Sequence, residues 1–217
     1  MEKIDVKIHE YRWFREHVPV PFPVAIVTTV AENGIVNAAP FGRIFPWNDN
    51  VNKPQLSLSV APIRHTGSNI RKTKEFVVNW PSIDLLKEVM ICATNYPRGV
   101  NELEEAGLHQ IPSNKVKPPR IKECLAHYEC RLDQIIDHHF IADVVDISVS
   151  PEFVKMSRKE KIRHIPIAYG NPIAKPYYFF GTEPKMVRLD WPGVEEEKLK
   201  ALFKKMGFLI EKEAGEP

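Results

Sequence analysis

The chain has 217 residues, 43% of them hydrophobic, enough for one sizeable core or a core with an appended element. Its 30 basic and 28 acidic residues nearly cancel, leaving a formal charge of +2, so the strongly basic footprint of a nucleic-acid-binding protein is not there. Only Cys92, Cys124 and Cys130 carry thiols, too sparse a set for a disulfide framework, and no stretch approaches the roughly 18 apolar residues of a membrane span.

In chain order, MEKIDVKIHEYRWF is charged throughout and does not read as a signal peptide, so a soluble, cytoplasmic protein without a membrane partner is expected. VAIVTTV (24–30) is rich in β-branched residues and predicts a strand. AENG (31–34) carries the Asn-Gly hairpin signal, and IVNAAPF leaves on the return strand. QLSLSVA (55–61) alternates, with Leu56, Leu58 and Val60 on one face. HTGSNIRKTK (65–74) predicts a short helix with Thr66 as its N-cap, and EFVVNW (75–80) another strand.

IDLLKEVMICAT (83–94) has helical spacing with Ser82 before it as a cap, and NELEEAGL (101–108) is a second short helix ending at Gly107. LAHYECRLDQII (125–136) and HFIADVVDISV (139–149) predict a pair of long strands. EEEKLKALFKKMGF (195–208) is an amphipathic helix, acidic at its start and basic at its end as the helix dipole favours. The basic runs 158–163 and 198–205 read as solvated helix faces. The 19 prolines are spread along the chain and break it into many short elements, which suits a small closed or partly closed β-barrel.

Three segments are candidates for chemistry. In NAAPFGRIFPW (37–47) a strand ends in small residues, prolines and a glycine. Such backbone either approaches a flat ligand closely, walled by Phe41, Phe45 and Trp47, or forms a bulge and a surface loop. In PIRHTGSNI (62–70) a helix start, Arg64, Thr66 and Ser68 could bind a phosphate, or Arg64 is a solvent-exposed flank of a capped helix. In NYPRGVNELEEAGL (95–108) Arg98 and Gly99 sit in a turn between helices, either a functional loop or an ordinary connection.

Taken in series, VAIVTT, G-x-V-N-A-A-P-F-G, R-x-T-x-x-N-I-R-x-T-x-E-F-V-V-N, P-R-G-V-x-E-x-x-x-A-G-L and K-V-K-P-P-R-I resemble the flavin reductase-like family of FMN-binding split β-barrel proteins, which includes flavoredoxin. The resemblance covers residues 21–149. It implies a mainly β fold, a Greek-key six-stranded antiparallel barrel with flanking α-helices; no composition shift marks a domain boundary, so one domain over 1–217 is expected, with 190–217 as a C-terminal helical extension. It also implies a homodimer with FMN at the interface.

Carried over residue by residue, Ala39, Pro40, Phe41 and Gly42 match the segment along the isoalloxazine ring. Arg64, His65, Thr66 and Asn69 match the phosphate and ribityl segment, and Pro97, Arg98 and Gly99 a loop that closes on the flavin. Asn37 and Asn79 are either further flavin contacts or side chains that satisfy backbone at strand ends. Many relatives carry Ser where Gly42 stands, and the loop 45–54 departs from the commoner form, with Trp47 in a position to cover a flavin face. His138 matches a segment associated with the nicotinamide cofactor, or is a half-exposed strand histidine. Adjacent His138 and His139 point to opposite faces of a strand and Cys124 and Cys130 form no C-x-x-C, so a zinc site is not expected.

The resemblance implies an FMN-dependent oxidoreductase that takes hydride from NADH or NADPH and passes electrons to free flavin, a metal complex, oxygen or a partner protein. With the cofactor carrying that chemistry, no catalytic acid or base is assigned. The alternative is a flavoredoxin-like electron carrier without its own NAD(P)H activity. A third reading is a barrel binding module that has lost flavin, against which Arg64, Thr66 and the intact PRGV segment stand.

Overall fold

A computed structural model describes residues 21–48, 50–61, 64–169 and 179–181. The expected helix at 195–208, the extension 190–217, the basic run 198–205 and the N-terminal segment lie outside the described residues.

The turn at 31–34 closes as its Asn-Gly pair predicts, with Gly34 at φ +86° and its N–H on the Ala31 carbonyl at 2.9 Å. It joins β2 (Ala25–Val30) to β3 (Val36–Phe41), paired antiparallel from Val30↔Val36 to Ala25↔Phe41. Three further strands follow: β4 (Ile44–Pro46), β5 (Gln55–Ser59) and β6 (Glu75–Trp80). The expected long pair is β9 (Ala126–Ile136) and β10 (His139–Val149). The sheet runs β3-β2-β6-β9-β10-β5-β4. The expected six strands become seven because Phe45 and Pro46, expected in the loop 45–54, join Ile44 in a short strand that pairs with β5 through Ile44↔Leu58.

That order puts β3 and β4 at opposite edges, yet only Gly42 and Arg43 separate them in sequence. A two-residue link can join the edges only if the sheet curls until they meet, which gives a barrel split along the β3–β4 seam. The Arg43 carbonyl accepts the Ser59 N–H at 3.0 Å and ties the link to β5.

Inside the curl lie Ala25, Val27, Leu56, Leu58, Val60, Phe76, Val78, Phe140 and Ala142, with Ile70 of the helix α1 (His65–Thr73) among them. Leu56, Leu58 and Val60 share this face as their alternation predicts. A second cluster covers the outer face: Val24, Ile26 and Ala38 pack against α2 (Leu86–Cys92) and α3 (Glu102–Ala106). Both faces of β2 are therefore buried, which is why it carries no charged residue along its length. Each fully buried side chain such as Phe76 or Phe140 contributes about 1.5–3 kcal/mol.

Two helix starts differ from expectation. The cap of α1 is Arg64, with extended backbone, and Thr66 lies inside the helix. Residues 83–94 divide into a 3₁₀ turn (Ile83–Leu85) and α2, and Ser82 makes no capping bond. Asn101 and Gly107 bracket α3 as predicted, Asn101 accepting from the Leu103 N–H and Gly107 adopting φ +68°.

The remaining strands are β1 (Pro21–Pro23), β7 (Gln110–Ile111), β8 (Arg120–Ile121), β11 (Ile167–Tyr169) and β12 (Phe179–Gly181). They form a two-stranded β7-β8 ladder and a β1-β11-β12 sheet. Two short helices, α4 (Pro151–Lys155) and α5 (Arg158–His164), follow β10. The basic run 158–163 falls on α5, mostly exposed, and a capping box between Ser157 and Glu160 starts it. No described helix is long and apolar enough to cross a membrane.

Candidate functional site

The sheet's β3 edge, the start of α1 and the turn before α3 meet in one region. Asn37 on β3 donates from Nδ2 to Thr66 Oγ1 at 3.2 Å, and Asn69, one turn along α1, donates to Thr29 Oγ1 on β2 at 3.0 Å. Asn37, Thr66 and Asn69 are 7%, 1% and 5% exposed. Their side chains are spent on docking α1 against the hairpin. Thr66 was the expected cap because Thr suits that position. A partner 29 residues away takes its hydroxyl instead.

Arg64 and His65 are left at the accessible end of α1, Arg64 exposed and His65 half-buried. Arg64 makes no side-chain cap, so no side chain of the cap residue closes the first turn. A helix start with an open first turn, a guanidinium and an imidazole suits a phosphate monoester. The expected phosphate segment thus divides into two buried positioning residues and two accessible ones.

Along β3, antiparallel pairing alternates the main chain. The Ala38 N–H turns away from β2 to the outer rim, where Glu102 Oε2 accepts it at 2.8 Å. Pro40 has the same parity and carries no N–H, which blunts this edge against pairing with another strand. Phe41 packs against the inner core. At Gly42 an added Cβ would stand 3.0 Å from both Phe22 Cβ and the Pro23 carbonyl, so the glycine has a packing reason here. Pro40, Phe41 and Gly42, with Val24 and Val89, line a small open pocket of about 90 Å³ between the end of β3 and α2.

Pro97, Arg98 and Gly99 form an exposed turn between α2 and α3, Gly99 at φ +97°. A Cβ there would lie 3.9 Å from Ile35 Cδ1, so the turn abuts the residue that leads into β3. His138 lies in the two-residue β9–β10 turn beside Asp137 (φ +53°), not in a strand, and is exposed. Its carbonyl accepts the Val60 N–H at 3.0 Å, which holds the turn beside the chain entering α1. His139 instead faces Ser57, Nδ1 to Oγ at 3.1 Å. Trp47 follows β4, 47% exposed, with its N–H on the Gln55 carbonyl.

Asn79 belongs to a different structure. It is fully buried on the outer face, donates to the Ile26 carbonyl at 3.1 Å and accepts from the Ile121 N–H at 3.0 Å. His127 Nδ1 lies 3.0 Å from the same Oδ1, and burial, then Arg120, pushes its imidazole down to about 4. Asn79 therefore satisfies backbone. Among the described residues no group of three or more His, Cys, Asp or Glu could hold a metal. The three cysteines are buried and free, and burial raises each thiol.

Glu102 escaped the sequence reading. It lies in the motif P-R-G-V-x-E, but its local setting is an ordinary acidic first turn, and its partner is 64 residues away.

Comparison with known proteins follows the same outline. The sequence model of the flavin reductase like domain matches residues 17–169. An uncharacterised protein of Methanothermobacter thermautotrophicus is 36% identical over 129 residues, 58% of this chain, and the match spans 59% of that relative. Among solved structures, nitrilotriacetate monooxygenase component B from Bacillus cereus superposes with a TM-score of 0.71 at 23% identity, covering 86% of this chain and 100% of that one. Flavoredoxin from Methanosarcina acetivorans gives 0.66 at 19% identity, covering 93% and 100%. At these identities the structures share the fold.

Proposed function

The chain belongs to the flavin reductase like family, and from that premise we propose that it is an FMN-dependent oxidoreductase taking hydride from NADH or NADPH and passing electrons to free flavin, a metal complex or a partner protein. The observation that carries this reading is the Asn37–Thr66 bond. It draws the strand suited to a planar ring and the helix start suited to a phosphate into one site. Either segment alone has an ordinary structural explanation.

In this reading Arg64, His65 and the first-turn amides of α1 hold the phosphate, and Thr66 and Asn69 fix that turn through their main chain. The backbone of Ala39, Pro40, Phe41 and Gly42 runs along the ring edge, with Asn37 holding the strand to α1. Pro97, Arg98 and Gly99 close over the site from the Ile35 side, and His138 stands on the nicotinamide side. Bound FMN supplies the hydride and electron chemistry, so the chain's residues bind and orient and no acid or base is required of them.

The site is completed by a second copy. The pocket of about 90 Å³ beside the end of β3 is lined by Pro40, Phe41 and Gly42 and by none of Arg64, His65, Thr66 or Asn69, so it takes in only the ring-side half of the site. A homodimer with FMN at its interface would supply the missing wall. Near-neutral charge and free cysteines support a soluble protein of the cytoplasm.

A flavoredoxin-like carrier without NAD(P)H activity is the second reading, supported by the fold shared with flavoredoxin. The deciding experiment is the visible spectrum of purified protein, reconstituted with FMN and titrated anaerobically with NADH and NADPH. Bleaching by either supports the reductase and identifies the donor. A flavin spectrum that stays oxidised favours the carrier, and failure to take up FMN overturns both.

A further inference from the structure

Glu102 is a buried carboxylate with no part in the scheme above, and it sits where that scheme's elements join. It is 6% exposed, and its Oε2 accepts the Ala38 N–H at 2.8 Å. Ala38 is fully buried and immediately precedes Ala39–Gly42. The Cys92 thiol of α2 donates to the Glu102 main-chain carbonyl at 3.7 Å. Burial is the larger influence on this carboxyl and raises its pKa, while the Ala38 N–H, its own N–H and His65 oppose the rise.

Most first-turn glutamates face water. A glutamate placed under a β-edge costs desolvation, which only a specific contact offsets. The contact here is the rim N–H that β3 would otherwise leave unpaired in the interior.

We propose that Glu102 is a positioning residue for the bound flavin: it clamps Ala38 so that the main chain of Ala39–Gly42 is held against the ring, and it places a negative charge behind that strand. The inference rests on the FMN reading above. An anion near a flavin disfavours the electrons added on reduction, so this charge lowers the cofactor's midpoint potential.

Two variants separate the clamp from the charge. Glu102→Gln keeps an acceptor for Ala38 and removes the charge; Glu102→Ala removes both. FMN dissociation constants would come from quenching of flavin fluorescence, potentials from dye equilibration, and integrity of the apoprotein from its thermal midpoint. Glu102→Gln is expected to bind FMN within about threefold of wild type, with a potential more positive by about 30 mV. That is a tenfold rise in the affinity for reduced over oxidised FMN. Glu102→Ala is expected to bind FMN at least about tenfold more weakly. A Glu102→Gln potential equal to wild type overturns the inference whatever Glu102→Ala does, including a failure to fold. Wild-type protein that takes up no FMN overturns the flavin reading itself, and this inference with it.

Discussion

Asn37 on β3 and Thr66 in the first turn of α1 share a hydrogen bond, Nδ2 to Oγ1 at 3.2 Å, across 29 residues of sequence. Both side chains are buried, so removing one partner strands the other away from water. Thr66→Val keeps the shape and deletes the acceptor, and is expected to destabilise the protein by about 1–3 kcal/mol in urea unfolding. With Asn37→Ala in a double-mutant cycle, the coupling should be about 0.5–2 kcal/mol. FMN affinity should fall in both single variants, because the strand and the helix start lose their tie. Additive stability effects would show that the bond is not formed in solution.

Gly42 answers the question of the missing serine. A Cβ would meet Phe22 Cβ and the Pro23 carbonyl, both at 3.0 Å, and the second is backbone that yields little. Gly42→Ser is expected to cost about 1–3 kcal/mol, read as a lower thermal midpoint. Phe22→Ala in the Gly42→Ser background should recover little of the loss, since alanine keeps the Cβ at 3.0 Å and the Pro23 carbonyl remains. A Gly42→Ser variant as stable as wild type would mean that β1 moves aside freely.

These two positions show where the sequence could be read and where it could not. The hairpin at 31–34, the paired strands β9 and β10 and the αL cap at Gly107 follow from local chemistry, and local patterns reveal them. Thr66 was taken for a cap because the rule that favours Thr there knows nothing of Asn37. Phe45 and Pro46 are expected in the loop 45–54, yet with Ile44 they form a sheet-edge strand, which tolerates the donor that Pro46 lacks. Glu102 and Gly42 have meaning only through Ala38 and Phe22, contacts that exist once the sheet has curled. The motifs mark residues that meet in one region, while the long-range bonds show which of them are buried in holding the fold together and which stay accessible.

His127 gives a pH dependence unrelated to catalysis. Asn79 donates through Nδ2 to the Ile26 carbonyl, so its Oδ1 accepts, and His127 serves it as a neutral Nδ1–H donor. Burial and Arg120 depress the folded-state pKa from 6.5 to about 4. Between these values the unfolded chain binds the extra proton, so the contribution is complete above about pH 6.5 and is lost as the pH falls toward 4. Its size is about 2 kcal/mol, allowing for screening. Urea midpoints of wild type should fall over that window more steeply than those of His127→Gln. Parallel profiles would show that His127 is protonated without cost in the fold.

Arg64 is the most direct probe of the phosphate position. It is exposed, caps no helix with its side chain, and stands at the start of a helix whose neighbouring Thr66 and Asn69 are already engaged. Arg64→Ala should therefore leave stability within about 0.5 kcal/mol of wild type, as exposed substitutions do. It should weaken FMN by about 1.5–3 kcal/mol through loss of a charge-assisted contact, or roughly ten- to hundredfold in the dissociation constant. Riboflavin, which lacks the phosphate, provides the control. Its affinity should be the same for Arg64→Ala and wild type, and the difference between FMN and riboflavin should shrink in the variant. Equal losses for both ligands would place Arg64 against the ring or the ribityl chain, and unchanged FMN affinity would move the phosphate away from α1 altogether.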